Sequence, residues 1–570
     1  MAELTFKPTT IERFSTRGAR VDAVDVSKRV GTRQILQDMS LSIEPGELVA
    51  IAGGSGAGKT TLLEILAGLQ PPSGGEVRRD GVLRGARVSA ESRIGYVPQD
   101  DIIHLEMPLR RTLRYAARLR LPAGTSAAEA DRVVEETMQD LDLADRAEVP
   151  VRALSGGQRK RASIAVELLT RPCLFFLDEP TSGLDPSTAA DVMRLLRRLS
   201  RRGVTVILTT HLPAGIDRCD RVIFLARDGH LAFSGSPIEA RTYFDVKDLD
   251  DVYDRLAAEH TPAIWAERFA ESVGNSANSK FRQSMPPTPA TRSNIKPTGV
   301  ARQWWLLTRR NVDVLFRNRL TLAILLGSPV LVTAMMATLF KRGAFDTNSA
   351  ADVGPAQIVF WIAFDGFFFG LTYGLLQIVG EMAVFRRERL AGLSVRAYVA
   401  SKVTALLPVL AGVSAVLLGA LRALGRLPAA GWHVYASLFT TIVIESTSAL
   451  ALGLLASAAV SNAAQAALAL PMLCFPQVLF GGAIIPVDQM ATPGRLMSLV
   501  LSNRHAFDAL GRELHLDRYT ATLPAMSAYR DTFHGGTGAS LLALASFAVA
   551  LTLVTVWVLH RRSAPGASRR

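Results

Sequence analysis

The sequence has 570 residues, of which 49% are hydrophobic and 20% charged, and a formal net charge of +13. This length exceeds one compact domain, and the 3 widely separated cysteines exclude a disulfide framework and a thiolate metal site. Much of the basic excess lies beside hydrophobic segments, which predicts a lipid bilayer as a partner and argues against nucleic acid.

The first part of the chain has the pattern of an α/β domain. Its first 20 residues lack the apolar core of a signal peptide, so this part is expected to stay in the cytoplasm. Short β-branched runs then alternate with helical segments, which is typical of a largely parallel sheet. The predicted strands cover 48–52, 93–97, 174–177, 204–209 and 221–225, and the predicted helices 59–69, 111–119, 127–143, 157–170 and 187–201. We assign residues 1–255 to this domain.

A glycine-rich run, GGSGAGKTT, stands between the apolar run LVAIA and the helical run LLEILAGL. It matches G-x-x-x-x-G-K-[ST] in the strand–loop–helix setting that gives this pattern meaning. Glycines let backbone N–H groups face the β-phosphate, Lys59 adds charge at the β- and γ-phosphates, and Thr60 offers a hydroxyl to Mg²⁺. The predicted nucleotide-binding residues here are Gly53, Gly54, Ser55, Gly56, Ala57, Gly58, Lys59, Thr60 and Thr61.

Two carboxylates, Asp178 and Glu179, end the apolar run CLFFL. At the end of a buried strand they would emerge beside the phosphate loop, where Asp178 is predicted to hold Mg²⁺ through water. Glu179 is predicted to act as the general base that polarises the attacking water. Carboxylates that merely cap a strand are the alternative.

The run LSGGQRKR, at residues 154–161, lies between these two sites and resembles the signature motif of ABC ATPases. The resemblance implies ATP and Mg²⁺ as cofactors. It also implies that Gln99 is a Mg²⁺ ligand that senses the γ-phosphate, that 182–185 form the D-loop, and that His211 is the switch histidine. With Lys59 and Glu179, Gln99 and His211 complete the predicted catalytic set. The signature residues implied to complete the ATP site of the opposite cassette are Ser155, Gly156, Gly157 and Gln158.

One cassette in one chain implies a dimer, formed with a second copy or with a sister chain. Intact Lys59, Glu179 and His211 favour a homodimer. ABC cassettes often carry an aromatic residue some 25 to 30 positions before the phosphate loop, and this chain has Val30 there. Adenine recognition is therefore expected to rest on an apolar contact.

The second part of the chain has the composition of a membrane domain. Residues 256–300 are predicted to form a flexible linker, because the stretch from about 260 to 299 is rich in Ser, Pro, Thr and Asn and lacks helical periodicity. An amphipathic stretch at 303–319 suits a helix at the membrane interface. Residues 301–570 are assigned to an all-α transmembrane domain of this interfacial helix and six spans. The predicted spans lie near 320–340, 356–380, 398–421, 434–459, 463–486 and 540–560.

A cassette followed by a membrane domain resembles the G subfamily of ABC transporters, the White-type half-transporters. The run at 384–402 is similar to the cytoplasmic loop of this subfamily, and FGGAIIP at 480–486 to its outer re-entrant turn. More narrowly, the chain resembles actinobacterial relatives of exporters with a forkhead-associated domain, and it is expected to lack that domain. The resemblance implies ATP-driven export of lipidic or amphipathic substrates by alternating access, as a multi-pass protein of the plasma (inner) membrane.

Two questions stay open at this point. A mechanical ATPase that signals across the membrane to envelope proteins is the alternative function, although such proteins are expected to have a large folded outer domain. Glu445, inside the fourth predicted span, is either a functional carboxylate or an interhelical contact with the nearby Ser446 or Thr447.

Overall fold

The structure is a computed structural model that describes residues 18–80, 82–83, 94–211, 215–258, 261–282, 298–345 and 354–563. The chain has two compact units, and the sequence passes from the first to the second at residues 299 and 300. The first unit contains strands and helices, and the described part of the second is helical. The predicted fold class, an α/β domain followed by an all-α domain, is confirmed.

Two sheets form the framework of the first unit. Its strands are β1 (Val21–Val30), β2 (Arg33–Ile43), β3 (Leu48–Gly53), β4 (Gly74–Arg79), β5 (Val82–Leu83), β6 (Ile94–Val97), β7 (Leu174–Leu177), β8 (Thr205–Thr210), β9 (Arg221–Leu225) and β10 (Leu231–Gly235). The larger sheet has the order β10-β9-β3-β8-β7-β6 and is parallel except at β10. The five predicted strands all lie in it.

The second sheet, β2-β1-β4-β5, is antiparallel, and the sequence pattern did not predict it. Its pairing is irregular, because the register of β1 against β2 shifts between Ala23 and Val26 and again between Val26 and Lys28. Asp25, within the first shift, has a left-handed φ of 49°. These irregularities interrupt the period-2 alternation that normally reveals a strand.

The parallel sheet is buried on both faces. Every residue of β3, β7 and β8 is buried, which explains their largely apolar runs. Because parallel strands end at the same edge, Gly53, Leu177 and Thr210 lie along one side of the sheet. The residues that follow these three positions carry the predicted chemistry.

The helices of the first unit include the five that the sequence predicts, with ends displaced by a few residues. They are α1 (Lys59–Leu66), α2 (Leu109–Arg120), α3 (Ala127–Asp140), α4 (Gly156–Leu168), α5 (Pro186–Arg201), α6 (Pro237–Phe244), α7 (Asp251–Ala258) and α8 (Ala263–Arg282). Local chemistry explains where α5 begins. Asp185 accepts hydrogen bonds from the N–H groups of Ser187 at 3.1 Å and Thr188 at 3.0 Å, and Pro186 occupies the first turn.

Helix α8 corrects the predicted linker. The expectation that residues 260–299 lack helical periodicity is wrong for 263–282, because aromatic side chains of this segment pack onto the ATPase domain. Trp265 is 8% exposed, and its ring centroid lies 5.2 Å from that of Phe244. Phe269 lies 5.8 Å from Phe233. The predicted linker residues 283–297 lie outside the described residues.

The second unit is built from helices throughout its described residues. They are α9 (Val300–Arg317), α10 (Arg319–Leu339), α11 (Gly354–Leu375), α12 (Met382–Leu390), α13 (Val395–Ala423), α14 (Trp432–Ala459), α15 (Ala463–Leu479), α16 (Thr492–Leu499), α17 (Ser502–Glu513), α18 (Asp517–Thr522), α19 (Arg530–Phe533) and α20 (Gly538–Arg562).

Five of these helical stretches are long and apolar enough to cross a membrane. They are Thr321–Leu339, Gly354–Leu390, Val395–Ala423, Trp432–Ala459 and Gly538–Arg562. The remaining predicted span is a shorter apolar helix, α15, of 17 residues. It ends early because the chain turns at Gly481 and Gly482, the second of which has a φ of 87°. The six predicted spans are therefore five long helices and one short one.

Glycines allow α11 and α14 to pack with their backbones in contact. A Cβ atom on Gly370 of α11 would lie 2.2 Å from the carbonyl oxygen of Ser446. A Cβ on Gly374 would lie 2.7 Å from the oxygen of Leu450, and one on Gly453 of α14 would lie 2.5 Å from that of Leu371. We call this contact the glycine seam; small residues commonly permit such close approach between membrane helices.

Helix α9, the predicted interfacial helix, packs along α13. Trp304 donates a hydrogen bond to Thr404 at 3.1 Å, and Asn311 donates one to Ser401 at 3.0 Å. Arg310, whose side chain is 2% exposed, binds both carboxylate oxygens of Glu388. A buried bidentate pair of this kind fixes α9 against α12.

Candidate functional site

The phosphate loop connects β3 to α1 and depends on glycine at both ends. Gly58 caps α1 with a φ of 92°, and a Cβ atom there would lie 2.9 Å from the carbonyl oxygen of Ile35. A Cβ on Gly53 would lie 2.4 Å from the oxygen of Leu225. Any other residue at either position would displace the backbone. The loop therefore holds its N–H groups at the start of α1, where an anion is favoured.

Lys59 lies inside this loop. Its Nζ atom donates hydrogen bonds to the carbonyl oxygens of Gly53 at 2.8 Å and Gly54 at 2.9 Å, and the residue is 6% exposed. Burial lowers the pKa of Lys59, while the charges of Glu179 and Asp178 oppose this shift. The ammonium group is thus held next to two acidic residues from a different strand.

Asp178 joins the phosphate loop to β8. Its Oδ1 atom accepts hydrogen bonds from Thr60 at 3.0 Å and from Thr209 at 2.6 Å, and the residue is 5% exposed. A hydroxyl and a carboxylate side by side fit Mg²⁺, which takes oxygen ligands and needs few from the protein when phosphates supply the rest. Sequence reasoning missed Thr209, because a threonine in a buried strand looks like an ordinary β-former.

Glu179 is contacted by two other predicted catalytic residues, Gln99 and His211. Its Oε2 atom accepts a hydrogen bond from Gln99 Nε2 at 3.2 Å and lies 3.1 Å from His211 Nδ1. Its backbone N–H donates to Thr209 Oγ1 at 2.9 Å, and its φ of 44° lies in the left-handed region. Non-glycine residues in that region often mark functional turns. The carboxylate is therefore held by two side chains, Gln99 after β6 and His211 after β8, while Thr209 holds the backbone of Glu179.

The signature residues lie at the start of α4. The Ser155 hydroxyl accepts a hydrogen bond from the N–H of Gln158 at 3.4 Å, and the Gln158 side chain accepts one from the N–H of Ser155 at 3.1 Å. This reciprocal capping box begins the helix. Gly157 is required by packing, since a Cβ atom there would lie 2.2 Å from Thr188 Cγ2 of α5. Within the described residues, no hydrogen bond connects 155–158 to the phosphate loop of the same chain.

Lys160 is a residue that sequence reasoning missed. Its Nζ atom donates to the carbonyl oxygen of Gln99 at 2.7 Å and lies 3.7 Å from Asp101. Burial lowers the pKa of Lys160 and raises the pKa of Asp101, and the attraction between the two charges opposes both shifts. Lys160 therefore links the signature helix to the backbone of the residue that contacts Glu179. The only sequence signal was its place within the run LSGGQRKR, where it was not singled out.

Val30 is the last residue of β1 and pairs with Arg33 across the turn to β2. Its side chain is partly exposed, so an apolar surface is available at the position where the resemblance expects adenine. Its contact with the base stays a prediction.

Glu445 lies fully buried in α14. Its Oε1 atom accepts a 2.8 Å hydrogen bond from Ser502 of α17. The expected interhelical contact is therefore present, but the predicted partners were wrong: Thr447 bonds instead to the carbonyl oxygen of Val443 in its own helix. A functional role for Glu445 stays a prediction.

Comparison with known proteins supports the same two-domain organisation. Residues 36–182 match the family described as ABC transporter, and residues 302–511 match the family described as ABC-2 type transporter. The bovine protein "Broad substrate specificity ATP-binding cassette transporter ABCG2" is 36% identical over 273 residues, which cover 45% of this chain and 41% of that protein.

Other relatives match across most of the chain. The "ABC transporter ATP-binding/permease protein Rv1747" of Mycobacterium tuberculosis is 33% identical over 518 residues, covering 86% of this chain. The chain spans 59% of the length of that protein. "Protein white" of Drosophila melanogaster is 31% identical over 517 residues, which cover 84% of this chain and 74% of that protein. With an ATPase domain that precedes its membrane domain, the chain belongs to the ABC transporters and is a half-transporter of the G type.

Proposed function

We propose that the chain hydrolyses ATP with the help of Mg²⁺ and exports a lipid-like or amphipathic molecule across the plasma (inner) membrane, with its ATPase domain in the cytoplasm. The observation that carries this proposal is the convergence of Gln99 and His211 on Glu179, beside the phosphate loop. Within its described residues, the same chain has five long apolar helices to which hydrolysis can be coupled. Their low charge favours an apolar cargo.

In this proposal each side chain has its own task, and the described contacts support it. The loop N–H groups and Lys59 bind the phosphates, and Thr60 and Asp178 would hold Mg²⁺, which neutralises phosphate charge when bound. Glu179 takes a proton from the attacking water, and Gln99 and His211 hold its carboxylate in place. Removing a general base commonly slows a reaction by about 10² to 10⁴-fold.

Reconstituted ATP turnover and transport test the catalytic assignment. In liposomes, Glu179→Gln should lose at least about 100-fold in ATP turnover and should abolish ATP-dependent movement of a fluorescent lipid. Glu148→Gln, at a side chain that is 76% exposed, is the matched control and should behave like wild type. Equal turnover in wild type and Glu179→Gln would overturn the assignment.

We further propose that two chains share each ATP site, with the signature residues of one chain facing the phosphate loop of the other. In support, Ser155 and Gln158 bond to each other and make no hydrogen bond to the phosphate loop within the described part of their own chain. A mixing experiment tests this arrangement. Lys59→Ala and Ser155→Arg chains should each be inactive alone and should regain turnover when reconstituted together, because their mixed dimer contains one intact site. Absence of recovery in the mixture would contradict a shared site.

A further inference from the structure

A second concave site lies on the ATPase domain. It has a volume of about 690 Å³, within the range of small-molecule sites, and adjoins a smaller cavity of about 160 Å³. It is formed by α4, α5 and the turn before β9. We call it the arginine cavity, because its charged lining consists of Arg161, Arg194, Arg197, Arg198, Arg201 and Arg218 with Asp142, Asp191 and Asp217.

The ion pairs of the cavity leave a large positive excess. A single carboxylate, that of Asp142, forms ion pairs with both Arg161 at 3.9 Å and Arg198 at 3.8 Å. The carboxylate of Asp217 binds Arg241, which is not part of the lining. Arg201 and Arg218 form no salt bridge with any residue that the structure describes. Six arginines against three aspartates give the lining a net charge of +3.

The cavity is separate from the nucleotide site. Arg197 binds Asp220 at 2.5 Å, and the N–H of Asp220 donates to the carbonyl oxygen of Leu48, the first residue of β3. The phosphate loop begins at the other end of that strand, about 17 Å away for six extended residues. An anion in the cavity would therefore not occupy the ATP site.

Cys219, the remaining polar group of the lining that could react, is inert. It is 6% exposed, and burial raises the pKa of its thiol to about 12, so that it stays protonated. The cavity accordingly has the chemistry for binding and lacks a nucleophile. Guanidinium groups form paired hydrogen bonds with phosphate oxygens.

We propose that the arginine cavity binds a small anion that carries two or more phosphate groups, through Arg201 and Arg218 with Arg161 and Arg198. Two phosphate groups carry roughly −3 to −4 at neutral pH, which balances the charge of the lining. The phosphates can belong to a free polyphosphate or to a phosphoinositide headgroup. The proposal is independent of the transported substrate.

Calorimetric titration of the full chain in phosphatidylcholine nanodiscs tests the proposal. The ATP site is first saturated with Mg²⁺ and a non-hydrolysable ATP analogue, so that added phosphates do not bind there. One titration uses tripolyphosphate and the other a short-chain, water-soluble phosphatidylinositol phosphate, which distinguishes the two sources. At least one probe should bind with a stoichiometry of one per chain.

Three variants assign that binding to the cavity. Arg201→Ala/Arg218→Ala should weaken it at least tenfold, while Arg146→Ala/Arg227→Ala, at two exposed arginines outside the cavity, should change it less than twofold. Asp142→Asn should tighten it, because a competing carboxylate is removed. All variants should keep wild-type ATP turnover without the probes, which shows that they fold. Binding of neither probe, or wild-type affinity in Arg201→Ala/Arg218→Ala, would refute the proposal.

Discussion

Replacing Lys160 by methionine tests whether the signature helix positions Gln99. The substitution keeps most of the side-chain volume but removes the 2.7 Å hydrogen bond to the Gln99 carbonyl and the charge facing Asp101. A hydrogen bond to a charged group contributes about 1.5–3 kcal/mol, and breaking a buried ion pair costs about 3–5 kcal/mol. The Asp101 side chain is 25% exposed, so water can replace part of the lost interaction. We expect the ATPase domain to lose about 2–3 kcal/mol of stability.

The effect on catalysis should fall mainly on kcat. Lys160 binds the backbone of Gln99, and the side-chain amide of Gln99 binds the carboxylate of Glu179. Lys160→Met should therefore position the general base less well, while the phosphate loop stays intact. A loss of about 1.4 kcal/mol of transition-state stabilisation corresponds to a tenfold lower kcat. ATP turnover against ATP concentration, together with thermal unfolding of the purified chain, measures both effects.

Two further variants separate positioning from simple destabilisation. Adding Asp101→Asn to Lys160→Met should recover part of the stability, because no unpaired charge remains, but should leave kcat low. Lys247→Met, at an exposed lysine, should match wild type within about 0.5 kcal/mol. If Lys160→Met keeps kcat within twofold of wild type, Lys160 does not position Gln99.

Three other predictions follow from single contacts. Gly157→Ala should destabilise the ATPase domain by about 1–3 kcal/mol, because the added methyl group would overlap Thr188 Cγ2. Adding Thr188→Ser removes the Thr188 methyl group and should restore the unfolding temperature. Hydrogen bonds from the first turn of α5 lower the pKa of Asp185. The stabilisation that the ionised Asp185 carboxylate gives the ATPase domain is therefore present above about pH 4 and is lost as the pH falls further. Unfolding temperatures of Asp185→Asn should accordingly vary less between about pH 5 and pH 3 than those of wild type. Arg310→Met should destabilise the membrane domain by about 3–5 kcal/mol, because it removes the buried guanidinium that binds the Glu388 carboxylate. Addition of Glu388→Gln should reverse much of that loss in thermal unfolding, and no recovery would mean that the two side chains are not coupled.

The parts of the ATP site that sequence could reveal are those whose chemistry is local. Lys59 and Thr60 belong to one loop with a recognisable pattern, and Asp178 and Glu179 end a run of apolar residues. Such patterns identify residue types at short spacing. The structure adds that these residues lie together with Gln99 and His211, whose meeting at Glu179 depends on the order of the strands.

The residues that sequence could not reveal act through long-range contacts. Thr209 contacts Asp178, 31 positions earlier, and Lys160 contacts Gln99, 61 positions earlier. Thr209 looks like an ordinary strand threonine, and the run LSGGQRKR does not show that Lys160 is the member that reaches Gln99. Helix α8 was missed for a related reason. Its polar composition suggested a linker, and its aromatic side chains Trp265 and Phe269 pack against residues that are distant in sequence, among them Phe244 and Phe233.

The glycine seam has a consequence for how the membrane half is made. Helices α11 and α14 are separated along the chain by α12 and α13, so α11 must enter the bilayer before its partner has been synthesised. Until α14 has been inserted, the backbone of α11 around Gly370 and Gly374 faces lipid, because the helix that packs against it is absent. Bulkier side chains at these two positions should therefore act first on biogenesis, and inserted but unassembled chains should accumulate before any defect in ATP turnover is seen.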